Sequence, residues 1–108
     1  MFEKNLSLLP LFDTYGALLT EAQRQMFELY YGDDLSLGEI AEEMGISRQG
    51  VRDSLKRCEE ALTLYERKLG FTKKLSDIDK ASSLIAGIDD DRARRAYAVL
   101  TAVTSADE

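Results

Sequence analysis

Residues 36–58 read SLGEIAEEMGISRQGVRDSLKRC, and their spacing decides the fold. Ser36 and Glu39 stand three apart, as in a capping box, where the hydroxyl accepts the third amide of a helix and the third side chain reaches back. Leu37, Ile40, Ala41 and Met44 then follow the i, i+3, i+4, i+7 spacing of a short amphipathic helix, which Gly45 can stop by turning left-handed. Ser47 opens a second helix after a three-residue turn. A short helix, a glycine turn and a capped helix make a helix-turn-helix. Its framework follows from geometry: Ala41 is small enough for close approach, Gly45 makes the sharp turn, and Ile46, Val51 and Leu55 are expected to fill the core between the helices.

Beyond this stretch the apolar seam continues. Val51, Leu55, Cys58, Leu62, Tyr65 and Leu69 recur at intervals of four or three residues up to Gly70, which predicts one long helix. Upstream, Thr20 and Gln23 form a second capping box, ahead of a helix carrying Ala22, Met26, Leu29 and Tyr30 and ended by Gly32, Asp33 and Asp34. A first helix is expected over residues 9–18. Pro10 is tolerable there only in the opening turn, and an earlier start would make it a kink.

Downstream, Ser76 is expected to cap a helix with Ile78, Ala81, Ile85 and Ile88. Asp89 to Asp91 open another with Ala93, Ala96, Tyr97, Leu100 and Val103, braced by an Asp91–Arg95 pair at i, i+4. Their apolar faces are narrow and Ala-rich, so they should pack on the first part of the chain or on a second subunit. The expected organisation is a helix-turn-helix domain over 1–70 and a C-terminal helical extension over 71–108.

Composition supports an all-α chain: Leu, Ala, Glu, Lys, Arg, Met and Gln supply 57 of the 108 residues, against 14 for Val, Ile and Thr. With no His, the Ser-His-Asp and Cys-His arrangements and every His-containing zinc site are excluded. One Cys cannot close an internal disulfide or build a thiolate cage. No cofactor, metal site or catalytic constellation is therefore expected. The longest uncharged run, Ala96 to Ala106, has 11 residues, short of the roughly 18–20 that span a bilayer. The chain reads as cytoplasmic.

The net charge of −6 argues against a protein that coats nucleic acid indiscriminately. It is, however, unevenly spread. Residues 1–46 carry nine acids and two bases, residues 47–74 four acids and eight bases, and residues 75–108 seven acids and four bases. A basic island of net +4 thus falls on the second helix of the motif.

There, Arg48, Arg52 and Lys56 stack at i, i+4, i+8 on the side away from the seam, joined by Gln49, Asp53 and Arg57. Arg can take guanine bidentately and Gln adenine, while Lys56 and Arg57 suit phosphate. Such a row is ordinarily a solvated face; its position on a recognition helix gives it another use. Asp53 opposes that use, since it repels phosphate unless it meets a cytosine amino group. Gly50 in the first turn costs about 1 kcal/mol against Ala; it marks either a close backbone approach or simple tolerance near a helix start. Cys58 on the seam reads as a buried, inert thiol. The Tyr30/Tyr31 and Phe12/Tyr15 pairs could stack bases but have core spacing, and the Asp runs at helix boundaries read as caps.

The run from Leu19 to Leu62 resembles region 4 of bacterial sigma-70 factors. Within that superfamily it is most similar to the small YlxM family associated with the signal recognition particle, above all over FDTYGALLT (12–20) and DDLSLGEIAEE (33–43). Pro10 in the first helix and Gly50 in place of the more usual Ala depart from the family pattern. The resemblance implies an all-helical, non-enzymatic regulatory protein of bacterial co-translational targeting, contacting the particle's GTPase or its small RNA. Carried over by position, Ser47, Arg48, Gln49, Arg52 and Lys56 become the nucleic-acid candidates.

Three functions compete. The first is a nucleic-acid-binding adaptor of the particle pathway. The second is a purely protein-binding role, in which the acidic residues 1–46 dock the basic RNA-binding domain expected on the GTPase. The third is a DNA-binding transcriptional regulator, which calls for a homodimer through the 51–69 seam or the C-terminal helices.

Overall fold

A computed structural model describes residues 4–105; the ends of the two expected domains, 1–3 and 106–108, lie outside the described residues. The described residues hold six α-helices, with one 3-10 turn and one π-helical segment, and no strand. They fall into two compact units, residues 4–69 and 70–105.

In the first unit, α1 (Leu8–Tyr15) carries Pro10 in its opening turn, where a missing N–H costs little. The expected helix to Leu18 instead tightens at its end into a 3-10 turn over Gly16–Leu18, closed by Leu19 N donating to Gly16 O at 3.1 Å. α2 (Glu21–Phe27) begins in the capping box that the spacing predicts: Gln23 N donates to Thr20 Oγ1 at 3.1 Å and Thr20 N to Gln23 Oε1 at 3.0 Å. Ala22, expected on its apolar side, is exposed in the first turn.

α2 does not stop before Gly32 but widens into a π-helical segment over Glu28–Gly32, with Asp33 N donating to Glu28 O at 3.0 Å. A wider turn lets successive residues face inward together. Tyr30 is buried, and Tyr31 packs against both apolar clusters of the unit.

α3 (Leu37–Met44) opens with the Ser36/Glu39 box, at 2.8 and 3.1 Å, and ends at Gly45 with φ +69°. α4 (Arg48–Leu69) then runs 22 residues, or about 33 Å. Its Val51 and Leu55 close one cluster with Met26, Tyr30 and Ile40; its Cys58 and Leu62 close the other with Leu8, Tyr15, Leu19 and Phe27. All four α4 side chains are at most 1% exposed, each aliphatic one stabilising by about 1.5–3 kcal/mol.

The seam fades toward the end: Tyr65 is half-buried and Leu69 is 40% exposed, because a 3.5-residue repeat drifts around a helix of 3.6 residues per turn. Ile46 also departs from expectation. It is 43% exposed and belongs to neither cluster, since the chain turns outward between Gly45 and Ser47.

The second unit is a pair of helices, α5 (Phe71–Ile85) and α6 (Asp91–Thr104). Ser76 is not a cap. The helix restarts at once after Gly70 (φ +63°), with Lys74 N donating to Gly70 O at 3.0 Å, and Ser76 lies exposed inside it. At the start of α6, Asp90 Oδ1 accepts from Arg92 N at 2.8 Å and Ala93 N at 3.3 Å. The expected Asp91–Arg95 ion pair is present.

Candidate nucleic-acid interface

α4 is held in place by polar ties as well as by its seam. Tyr15 donates its hydroxyl to Glu66 Oε1 at 2.6 Å. Tyr31 donates to Glu59 Oε2 at 3.2 Å and accepts from Asn5 N at 3.0 Å. Burial pushes the Tyr31 hydroxyl up to about 12, so it stays a donor at every physiological pH. Burial also raises Glu59, against the opposing effect of the Tyr31 hydrogen bond. Cys58 is 1% exposed and its thiol is pushed up to about 11, chiefly by burial, which leaves it protonated and inert at neutral pH.

With that side of α4 fixed inward, Gln49, Arg52, Asp53, Lys56 and Arg57 are exposed, and so is Arg48 although its spacing of three before Val51 sets it in the register of the seam. They do not form one uniform basic row. Ser47 serves the helix itself: its Oγ accepts from Gly50 N at 2.9 Å, so its hydroxyl is engaged as a cap. A Cβ on Gly50 would lie 3.0 Å from that oxygen. The close approach at Gly50 is therefore to the cap of its own helix.

Arg48 leans back over the start of α3, where a Cβ on Gly38 would sit 3.8 Å from Nε and 3.9 Å from Cζ. Gln49 Nε2 donates to Asp53 Oδ1 at 2.9 Å, one turn further along. Lys56 follows Arg52 by about one turn. It lines a groove of about 380 Å³ between residues 5–8 and α4, together with Glu59, Glu60 and Arg67.

Nearby, α3 exposes Glu42 and Glu43 and no base. Within the helix-turn-helix, attraction for a polyanion thus comes from α4, with acids on the preceding helix opposing loose association. The described residues contain no group of three or more His, Cys, Asp or Glu placed to hold a metal ion, and no helix long and apolar enough to cross a membrane.

Sequence reasoning located the exposed face but not its internal pairing. The Gln49–Asp53 bond was signalled by i, i+4 spacing, at which such pairs meet on a helix surface. Arg48 against Gly38 has no comparable local signal, because it depends on the angle at which α4 leaves the turn.

The family described as “Putative helix-turn-helix protein, YlxM / p13 like” (UPF0122) matches residues 2–101. A UPF0122 protein of Desulforamulus reducens is 58% identical over 69 residues, covering 64% of this chain and 59% of its own length. One of Caldanaerobacter subterraneus subsp. tengcongensis is 59% identical over 70 residues, covering 65% and 60%. One of Listeria welshimeri is 51% identical over 83 residues, covering 77% and 76%. The chain thus spans about three-fifths of the length of the first two relatives.

Proposed function

Because the chain belongs to the UPF0122 family of YlxM/p13-like helix-turn-helix proteins, we propose that it is a non-catalytic protein that binds nucleic acid with the outer face of α4. The observation that carries this is the placement of Arg48, Gln49 and Arg52, all exposed, in the first turns after the motif's turn, while Val51 and Leu55 hold the same turns inward. Duplex DNA is the ligand that fits. The major groove of B-DNA admits an α-helix, whereas the deep, narrow groove of A-form RNA does not. Binding is expected to weaken steeply with salt. Replacing Arg48 and Arg52 together by Ala should lower affinity for a duplex at least tenfold, each good base contact being worth about 1–3 kcal/mol. A double variant that binds a duplex as tightly as the unaltered protein would refute the reading.

The acidic N-terminal segment supports a second role beside this one. Residues 1–46 carry net −7, and α3 exposes Glu42 and Glu43 within it. Together with the resemblance to the YlxM family, this supports a cytoplasmic role in the signal recognition particle pathway, with the acidic surface docking the basic domain expected on the particle's GTPase. The particle's small RNA would be the alternative contact. Retention of the GTPase from nuclease-treated lysate supports the protein contact, and strict dependence on RNA overturns it.

A further inference from the structure

Asp53 is a liability on a DNA-facing helix unless it does something there. Its carboxylate accepts from Gln49 Nε2 at 2.9 Å, and both side chains are exposed, next in sequence to the exposed Arg48 and Arg52. The pair belongs to neither apolar cluster; Val51 and Leu55 close the nearer one from the opposite side of the same turns. Its effect is on Gln49 itself.

A free glutamine amide can present its oxygen or its nitrogen in a given direction, and the two are nearly isosteric. An ionised carboxylate only accepts, so Asp53 can pair with the nitrogen alone. One amide hydrogen is thereby committed to Asp53. The second amide hydrogen and Oε1 remain side by side, a donor next to an acceptor. In the major groove adenine offers the complement, an N7 acceptor beside an N6 donor. Guanine presents two acceptors, N7 and O6, and would set O6 against Oε1. Thymine offers one acceptor and a methyl group, and cytosine one donor, so neither can use both amide groups.

We propose that Gln49 reads an adenine in duplex DNA and that Asp53 is its positioning residue, fixing the amide in the orientation that adenine requires. This rests on the nucleic-acid function proposed above and goes beyond it by naming the base, the reader and the group that orients the reader. It also accounts for an acid on this face: Asp53 sacrifices some attraction for phosphate in return for selectivity.

The test is selection from a randomised DNA duplex library with the full chain, followed by affinity measurements on the selected duplex and on the same duplex changed at single base pairs. The unaltered protein is expected to select an adenine at one position and to lose about tenfold or more in affinity when that adenine becomes guanine. Gln49→Ala should lose discrimination at that position alone. Asp53→Ala should bind all duplexes more tightly, having lost a negative charge, yet discriminate adenine from guanine less than threefold. Asp53→Asn removes the charge but can donate as well as accept, so it no longer imposes one amide orientation and should combine the tighter general binding with a weakened preference for adenine.

A purely structural Asp53 would give a different pattern, with affinity and thermal stability falling together in both Asp53 variants; that result overturns the proposal. Selection of a site with no adenine sensitive to Gln49 overturns it too, and leaves the nucleic-acid function standing. Failure of the unaltered protein to retain any duplex at low salt overturns both.

Discussion

Leu62 and Leu84 are both leucines in long helices, yet one is fully buried and the other is 81% exposed. The contrast extends to the units that contain them. Residues 4–69 bury eleven hydrophobic side chains in two clusters that share α4 as a common wall. In residues 70–105 the one buried side chain is Ser82, whose hydroxyl is returned to Ile78 O at 3.0 Å. Two helices alone can hide one stripe each, and only partly: Leu75, Ile78, Ile85 and Leu100 all remain partly accessible. The four α-helices of the first unit, with the π-helical segment that follows α2, close a core. The exposed face of α4 therefore stands on the well-packed unit, where its side chains can be held in register.

The largest expected effect tests this directly. Leu62→Ala should cost about 2–5 kcal/mol, as a buried leucine truncation does, whereas Leu84→Ala should stay within about 0.5 kcal/mol. Denaturant titrations of the two variants measure both. Similar losses would break the comparison, because they would mean that Leu84 is covered in solution. Gly45→Ala comes next. No atom lies within 4 Å of the added Cβ and φ is +69°, so the cost is left-handed backbone strain of about 1–2 kcal/mol. A smaller loss would show that the turn relaxes.

The two units also start their helices with different chemistry, which sharpens the comparison with pH. Thr20, Ser36 and Ser47 cap α2, α3 and α4 with hydroxyls, but α6 is capped by the carboxylate of Asp90. The backbone N–H groups of Arg92 and Ala93 hold that carboxyl below its ordinary value. A lowered acid stabilises the folded state above the unfolded-state value and ceases to do so as pH falls through the folded-state value. Acid should thus release the first turn of α6 while the hydroxyl caps persist. Hydrogen exchange at Arg94 and its neighbours should accelerate, relative to the amides following Ser36, as pH is lowered through the carboxylate range, after correction for intrinsic rates. Asp90→Asn should abolish that extra acceleration.

Much of the first unit is legible because its signals are local. Both capping boxes and the left-handed Gly45 are each specified within one or two turns, and the apolar spacing from Val51 to Leu62 within about three. The exposure of Gln49 and Arg52 follows from that spacing, since a helix that turns Val51 and Leu55 inward must turn them out. Arg48, three residues before Val51, falls in the register of the seam and is exposed because it is the first residue of the helix. What was not legible depends on longer-range geometry or on one residue overriding another. The π-helical segment at Tyr30 and Tyr31 has no residue signature; it exists because two adjacent tyrosines are both drawn inward. Ser76 has cap chemistry, but the restart after Gly70 leaves it no helix end to cap. Lys56 belongs to the stacked row by spacing, yet the path of residues 5–8 places it beside a groove with Glu59 and Glu60.

The smallest effect concerns how the two longest helices begin. α5 starts after Gly70 with no side-chain cap, whereas α4 starts under Ser47, whose Oγ holds Gly50 N and would lie 3.0 Å from a Cβ on residue 50. Gly50→Ala therefore changes two things of opposite sign. Alanine gains up to about 1 kcal/mol of helix propensity, and it presses on the cap, which is worth about 1 kcal/mol. The net change should lie within about 0.5 kcal/mol. Placed on a Ser47→Ala background, where there is no hydroxyl to displace, the same substitution should stabilise by most of its propensity. A double-mutant cycle reads the difference as a coupling of about 0.5 kcal/mol or more. Strict additivity would show that residue 50 and the cap do not compete, and that Gly50 is tolerated at the start of α4 with no steric reason.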